Sequence, residues 1–179
     1  MVDFSNEANG LAILKEFNSK NTLLNIQISS EIGEIYSLPR NLTTLSKENP
    51  ANAVKTRKFI LGMNMEKLTI NGVSMDMNVI NEYVPIDQVE IWEITNSMMI
   101  PHNFHIHATH FMIIERDGSV NNVLENEKGY KDTVYLPPNS SVKVLVKMSD
   151  YTDENYPYMY HCHFLEHEDN GMMGQFVVI

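Results

Sequence analysis

Short stretches in which apolar and polar residues alternate run through most of the chain, and residues that favour turns separate them. Alternation with a period of two places successive side chains on opposite faces of a β-strand, and no long helical period competes with it. The turns contain the pairs Asn71-Gly72, Asp117-Gly118 and Pro137-Pro138. The clearest strands are predicted at residues 67–70, 88–95, 111–116, 141–148, 158–163 and 175–179. Many short strands at this spacing predict an all-β protein, an antiparallel β-sandwich.

The first 55 residues have a different pattern. Residues 11–17 and 24–28 have the composition of strands, whereas residues 38–55 are polar and contain Pro39 and Pro50. We interpret residues 1–55 as the remnant of a preceding domain plus a linker, and residues 56–179 as the C-terminal domain. An N-terminal extension packed on the sandwich is the alternative.

Charge and hydropathy exclude two classes of partner. The net charge is −10, and nucleic-acid binding relies on clustered Lys and Arg, so we expect no nucleic acid. No apolar run approaches the length of about 18 residues that a membrane span requires. The N-terminus lacks the basic and apolar regions of a secretory signal. We therefore expect either a cytoplasmic protein or an exported one whose true N-terminus is missing, and the location stays open.

The seven histidines fall in two short windows, and Cys162, the single cysteine, lies in the second. Strand parity sorts them, since side chains two apart share a face. If residues 158–163 form a strand, His161 and His163 point away from Cys162. His102 precedes His105 by an odd offset and can therefore lie on the opposite side from His105 and His107. The pattern predicts one group of four imidazoles and another that contains Cys162 and His102.

The Cys162 group has the composition of a copper site. His167 follows within reach if the chain turns after His163, and Met172 comes just past Gly171. Two imidazoles, a thiolate and a weak thioether are typical of a blue-copper electron-transfer site. Zinc accepts the cysteine and the histidines but gains little from a thioether.

The other four histidines are not explained by packing. Burying a polar group without a partner costs roughly 2–7 kcal/mol, so four imidazoles together require a common purpose. A cluster of several metal ions supplies one. Cys162 is covalently flanked by two of these histidines, which gives a short bonded path between the two groups.

The segments His161-Cys162-His163-x3-His167-x4-Met172 and His102-x2-His105-x-His107 resemble the two copper signatures at the C-terminal end of multicopper oxidases. The resemblance covers roughly residues 55–179 and is nearest to bacterial laccases, cuprous oxidases and spore-coat laccases. It implies that this is the third, C-terminal domain of such an oxidase, with a cupredoxin-like Greek-key β-sandwich fold.

The resemblance also implies roles for individual residues. Four of them would bind a type 1 copper: His102, Cys162, His167 and Met172. Four histidines would belong to a three-copper cluster: His105 on the type 2 copper, and His107, His161 and His163 on the type 3 pair. Glu168 matches an acidic residue that relays protons, although a solvated turn carboxylate is the alternative. His110 matches no ligand position and is expected to be a supporting or surface residue.

By the same resemblance, a small reduced substrate (a phenol, an amine or Cu(I)) would give single electrons to the type 1 copper. They would pass through Cys162 to His161 and His163 and on to the cluster, which reduces O2 to water. The family's cluster takes eight histidines, and this chain supplies four. The other four would come from an N-terminal cupredoxin domain of the parent protein or from another chain, for example in a two-fold homodimer.

Two functions other than an oxidase are alternatives. The first is a non-enzymatic blue-copper module that passes electrons or copper to a partner, and the number of coppers per chain separates it from an oxidase. The second is a mononuclear zinc or iron site at His105 and His107, which leaves the Cys162 group unexplained. Close methionine pairs (Met63 and Met65, Met75 and Met77, Met98 and Met99) suit either Cu(I) binding or core filling.

Overall fold

The structure, a computed structural model, describes residues 4, 6–16, 19–30 and 43–179. The chain divides into two compact units, Met1–Thr44 and Leu45–Ile179. In the first unit, β1 (Gly10–Lys15) and β2 (Thr22–Ile28) form an antiparallel pair. These strands correspond to the predicted strands at 11–17 and 24–28, of which residue 17 lies outside the described residues. Residues 38–42 of the predicted linker also lie outside them.

The second unit consists mainly of strands, as the alternation predicts. In chain order the strands are β3 (Lys55–Asn64), β4 (Lys67–Ile70), β5 (Glu82–Val84), β6 (Val89–Asn96), β7 (His102–Ile106), β8 (Phe111–Arg116), β9 (Tyr130–Lys131), β10 (Thr133–Leu136), β11 (Ser141–Lys147), β12 (Asp153–His161) and β13 (Met173–Val178). One α-helix, α1 (Leu165–Asp169), and 3-10 helices at Pro50–Asn52, Val120–Asn122 and Glu125–Glu127 complete the described elements.

These strands form two sheets. One has the order β10-β7-β12-β13-β5 and the other has the order β4-β3-β6-β11-β8-β9. Buried side chains from both sheets, such as Trp92 from β6 and Phe104 from β7, belong to one hydrophobic core. The all-β sandwich is therefore confirmed. Most strand pairs are antiparallel, as predicted, but β3 pairs with β6, and β13 with β5, in parallel.

Most predicted strands are observed within two residues of their expected limits, with one exception that matters for the site. The strand predicted at 158–163 begins at Asp153 and ends at His161. Beyond it, the N–H of Cys162 donates to the carbonyl of Met172 (3.0 Å), in the same register that pairs His161 with Met173. The prediction was wrong at the start of this strand, because sequence periodicity does not show where pairing begins.

A buried ionic group lies inside the sandwich. Arg57 on β3 is 4% exposed and Glu90 on β6 is 1% exposed. The Arg57 guanidinium donates to both carboxylate oxygens of Glu90 (2.6 and 2.8 Å) and also to Glu82 on β5. Since buried charges must be paired, this group holds β5 of one sheet against β3 and β6 of the other. Among the described residues, no helix is long and apolar enough to cross a membrane.

Candidate metal centre

Strand β7 places its two histidines, His102 and His105, on opposite faces. Its burial alternates, so that His102, Phe104 and Ile106 lie in the core while Asn103 and His105 lie on the other face. The opposite placement of His102 and His105 that parity predicts is therefore observed. β12 pairs with β7 so that His161 lies beside His105, which brings the two histidine windows together.

The segment after β12 folds back to deliver the remaining residues. α1 begins after Phe164 and carries His167, so the predicted turn is a short helix. The N–H of Met172 then donates to the carbonyl of His167 (3.0 Å). Gly171 makes this return possible, because its φ of +86° is a conformation that side chains with a Cβ rarely adopt.

Three of the four residues expected at the type 1 site have their ligand atoms together. The Sγ of Cys162 lies 3.6 Å from Nδ1 of His102 and 3.4 Å from Nδ1 of His167. Cys162, His102 and Met172 are fully buried, and the main chain of Met172 contacts both Cys162 and His167. The fold thus gathers the predicted set on the core side of the sheet.

These separations fit a shared metal ion. Two ligand atoms about 2.0 Å (nitrogen) and about 2.3 Å (sulfur) from one ion, about 110° apart, lie about 3.5 Å from each other. The observed distances bracket this value. Nε2 of His102 is buried and has no hydrogen-bond partner, and it is the one side-chain nitrogen or oxygen among the described residues in that situation. A ring buried at that cost indicates that its other nitrogen, Nδ1, has a strong partner.

Burial favours the uncharged forms of all three side chains, which for the two imidazoles is the form that binds metal. Burial, together with the neighbouring His167, lowers the pKa of His102 to about 4, so its ring is neutral at physiological pH. Burial also lowers the pKa of His167. The pKa of Cys162 is raised, chiefly by burial, so the thiol keeps its proton until a metal ion displaces it.

The second group consists of His105, His107, His161 and His163, on the outer side of the same sheet. Ring centroids of neighbouring members lie 5.1–5.4 Å apart. Nitrogens of His105, His107 and His161 all lie within 4.8 Å of one another, whereas His163 is exposed and joins through ring contacts with His105 and His161. The structure therefore brings together all four histidines that parity assigned to this side.

Hydrogen bonds assign the tautomers of two of these rings. Nδ1 of His105 lies 2.8 Å from the carbonyl of Asp132, and Nδ1 of His161 lies 3.0 Å from that of Cys162. A carbonyl can only accept, so each Nδ1 carries the hydrogen and each Nε2 keeps its lone pair. Metal-binding histidines commonly donate their other N–H to a carbonyl in this way. Nε2 of His161 faces Nε2 of His107 at 3.1 Å, a separation that suits two nitrogens about 2.0 Å from one ion and about 100° apart.

Sequence reasoning missed the support that β10 gives to His105. The ring also lies 2.9 Å from the hydroxyl of Thr133, which is the cross-strand partner of His105. A strand register between residues so far apart in the chain leaves no signal in a single sequence. Asn96 was missed too: its buried amide donates to the carbonyls of Ile100 (2.9 Å) and Pro137 (2.8 Å) and so fixes the loop that leads into His102.

The remaining predicted residues lie around the histidine group. Oε2 of Glu168 is 3.5 Å from Nδ1 of His161. His110 is exposed and lines a cavity of about 420 Å³ together with His105 and His107. It is not among the residues whose ligand atoms converge in the described part of the chain.

The methionine pairs do not fill the core as a class. Four of the six are exposed: Met63 (56%), Met65 (93%), Met77 (82%) and Met99 (80%). Core filling is therefore wrong for these four. Copper binding by them stays a hypothesis.

Comparison with known proteins gives a consistent family. The multicopper oxidase family profile matches residues 37–179. The chain is 37% identical to "Multicopper oxidase mco" of Staphylococcus haemolyticus over 92% of this chain and 39% of the relative. It is 36% identical to a laccase of Haloferax volcanii over 76% of this chain and 25% of the relative. The chain thus spans well under half the length of these relatives.

Solved structures agree. A multi-copper oxidase from Pediococcus acidilactici superimposes with a TM-score of 0.81 and 32% identity, covering 99% of this chain and 37% of that one. The McoA multicopper oxidase from Aquifex aeolicus gives a TM-score of 0.79 and 29% identity over 91% of this chain and 37% of that one. The expected cupredoxin-like fold is confirmed, and copper is the cofactor that the family implies. By sequence, fold and the side chains that it gathers, this chain belongs to the multicopper oxidase family.

Proposed function

We propose that this chain is the laccase-like copper domain of an oxidase that couples one-electron oxidation of a small substrate to reduction of O2 to water. The observation that carries the proposal is the position of Cys162. Its thiol lies with Nδ1 of His102 and Nδ1 of His167, and its two chain neighbours, His161 and His163, belong to the other group.

The residues divide the work between two sides of one sheet. On the core side, His102, Cys162, His167 and Met172 would hold a type 1 copper in an apolar pocket that excludes water. On the outer side, His105 would bind a type 2 copper, and His107, His161 and His163 a type 3 pair. Copper, when bound, supplies one-electron redox chemistry at the first site and pooled electrons for O2 at the second. The chain contributes the covalent connection between the sides, from Sγ of Cys162 through the main chain to the two adjacent imidazoles.

Protons are the second requirement of water formation. Glu168 places a carboxylate 3.5 Å from Nδ1 of His161, and its side chain is 30% exposed. A group that contacts both solvent and the histidine cluster is suited to relay protons to it. We propose Glu168 for this role. Replacement by Gln should slow turnover of the complete oxidase while leaving the spectrum of the Cys162 site unchanged.

The other half of the three-copper cluster would come from an N-terminal cupredoxin domain, in the same parent protein or in another chain. The histidine side is open to such a partner, because His163 is exposed and a cavity of about 420 Å³ borders His105 and His107. We propose O2 as the acceptor and a phenol, an amine or Cu(I) as the donor class.

The first test is copper loading of the full chain, followed by metal analysis and by visible and electron-paramagnetic-resonance spectra. Wild-type protein should show the intense blue absorption of a thiolate-bound Cu(II), and Cys162→Ser should lose it. The matched control is His110→Gln, which removes a histidine outside both groups and should leave the spectrum intact. A wild-type sample without a blue species refutes the proposal.

The amount of copper then distinguishes the oxidase from a blue-copper module. One copper per chain, unchanged in His105→Gln, would favour a module that only passes electrons to a partner. Additional copper that is lost in His105→Gln, together with O2 consumption once a second domain or chain is supplied, would favour the oxidase.

A further inference from the structure

Two buried aromatic rings lie two residues away from members of the Cys162 group. Phe104 lies two residues after His102 on the buried face of β7, and Tyr160 lies two residues before Cys162. The two rings stack with centroids 5.8 Å apart. β7 thus bears both His102 and a buried aromatic ring, and β12 bears a buried aromatic ring shortly before Cys162.

These rings meet Trp92, the single tryptophan of the chain. Its centroid lies 6.0 Å from that of Tyr160 in an edge-on contact and 4.7 Å from that of Phe59, which itself lies 4.9 Å from Tyr160. Trp92 and Phe59 are fully buried and Tyr160 is 3% exposed. An easily oxidised indole is therefore in contact, through buried rings, with Tyr160 and by way of Phe59 with Phe104, each of which lies two residues from a member of the Cys162 group.

The indole N–H has an unusual partner for a core tryptophan. Nε1 of Trp92 donates to Oε2 of Glu90 at 3.0 Å, and Glu90 is 1% exposed. Arg57 binds the same carboxylate and also Glu82, whose side chain is 23% exposed. Two carboxylates against one guanidinium leave a formal net negative charge beside the indole. Such a charge stabilises a positive charge on the ring, and the carboxylate can accept the indole proton.

We propose that Trp92 is an internal one-electron donor to the copper sites, with Glu90 as the acceptor of its proton. This inference rests on the proposed function. Trp92 donates when O2 has received fewer than the four electrons that form water and no external substrate supplies the next one. The aromatic contacts then let Trp92 provide the electron, which protects Cys162 and the histidines from oxidation.

The step balances in electrons and protons. One electron leaves the indole of Trp92 and reduces a strong oxidant at the metal sites, which by chemical class is partly reduced dioxygen. The indole N–H bond breaks, and the proton forms an O–H bond with Oε2 of Glu90. The products are a neutral tryptophanyl radical and a neutral carboxyl group. A later electron from an external reductant restores the indole, and the proton returns from Glu90.

The test uses the full chain together with the second domain or chain that completes the histidine cluster, loaded with copper and treated with hydrogen peroxide without a reductant, then frozen for electron paramagnetic resonance. The blue absorption of the sample is checked first, since its absence means that the proposed copper site has failed. With that site intact, a tryptophanyl radical is expected in wild type and its loss in Trp92→Phe. Tyr160→Phe should lower its yield. Tyr135→Phe, at a half-exposed tyrosine outside these ring contacts, is the matched control and should leave the yield unchanged.

A second arm tests the proton acceptor without copper. Metal-free protein is oxidised with a photogenerated one-electron oxidant, and the tryptophanyl radical is followed by transient absorption. A neutral radical is expected in wild type and a longer-lived radical cation in Glu90→Gln, since an amide does not take the proton. An intact blue site with no tryptophanyl radical in the first arm overturns the proposal, as does a radical signal whose size and shape are unchanged in Trp92→Phe. If Glu90→Gln does not fold, the Trp92→Phe comparison still decides.

Discussion

Gly171 is the position at which a single methyl group should disturb the copper-binding segment most directly. It precedes Met172, its φ is +86°, and a Cβ built there would lie 2.1 Å from Oγ of Ser74. Its carbonyl accepts hydrogen bonds from the N–H of Met75 (3.0 Å) and the hydroxyl of Ser74 (3.4 Å). The loop at Ser74 thus holds the segment that delivers Met172.

Gly171→Ala should cost about 2–5 kcal/mol of unfolding free energy. The left-handed backbone accounts for about 1–2 kcal/mol, and forcing a methyl group into packed atoms accounts for about 1–3 kcal/mol. The two contributions are separable. Ser74→Ala removes the atom at 2.1 Å, and the next contacts, at 3.4 and 3.5 Å, are tolerable with small shifts. In that background Gly171→Ala should cost only the backbone contribution, about 1–2 kcal/mol.

The measurement is urea unfolding of the metal-free variants, followed by the fluorescence of Trp92. Gly118→Ala is the matched control, because Gly118 has a φ of +78° with no atom within 4 Å of its Cβ position. It should therefore show the backbone cost alone. If Gly171→Ala costs the same with Ser74 and with Ala at position 74, to within about 0.5 kcal/mol, the clash is not the cause. In copper-loaded protein, Gly171→Ala should also alter the blue absorption band, whereas Gly118→Ala should not.

Three further predictions concern stability. Burial raises the pKa of Glu127, but the hydrogen bonds of Arg116 lower it by more, so the net pKa lies below the ordinary 4.5. The interaction of Glu127 with Arg116 therefore contributes about 1–2 kcal/mol to stability above pH 4.5, and this contribution is lost as pH falls through the lowered pKa. Glu127→Gln should thus be less stable than wild type at pH 7, and the difference should shrink in urea titrations as pH falls below 4.5, whereas Glu125→Gln, at an exposed ion pair, should change little over the same range. Asn96→Ala should lower the unfolding free energy by about 1–3 kcal/mol, because it removes a buried amide that donates to the part-buried carbonyls of Ile100 and Pro137. A loss under about 0.5 kcal/mol in denaturation would contradict this. Removing copper with a chelator should lower the unfolding free energy of wild type by about 2.7 kcal/mol if the metal had been present at a hundred times its Kd, and Cys162→Ser should show little of this change in the same calorimetric experiment.

The sequence by itself determined the fold class and the membership of the two metal-binding groups. Alternation in β7 and near the end of β12 is a local property, so the opposite placement of His102 and His105 was readable from their odd spacing. The ligand set that we propose also came from the sequence, since a thiolate, imidazoles and a thioether have few common uses together. The covalent order His161-Cys162-His163 needs no tertiary structure to connect the two groups.

The tertiary structure decided what depends on pairing between distant segments. The end of β12 at His161, the helical turn that carries His167, and the carbonyl of Asp132 that sets the tautomer of His105 all follow from registers between strands. The same holds for Glu90, whose carboxylate is buried against Trp92 and Arg57. Alternation shows which residues share a face of a strand. Which atoms from separate strands meet depends on the register of every strand that lies between them, and only the packed sheets determine those registers.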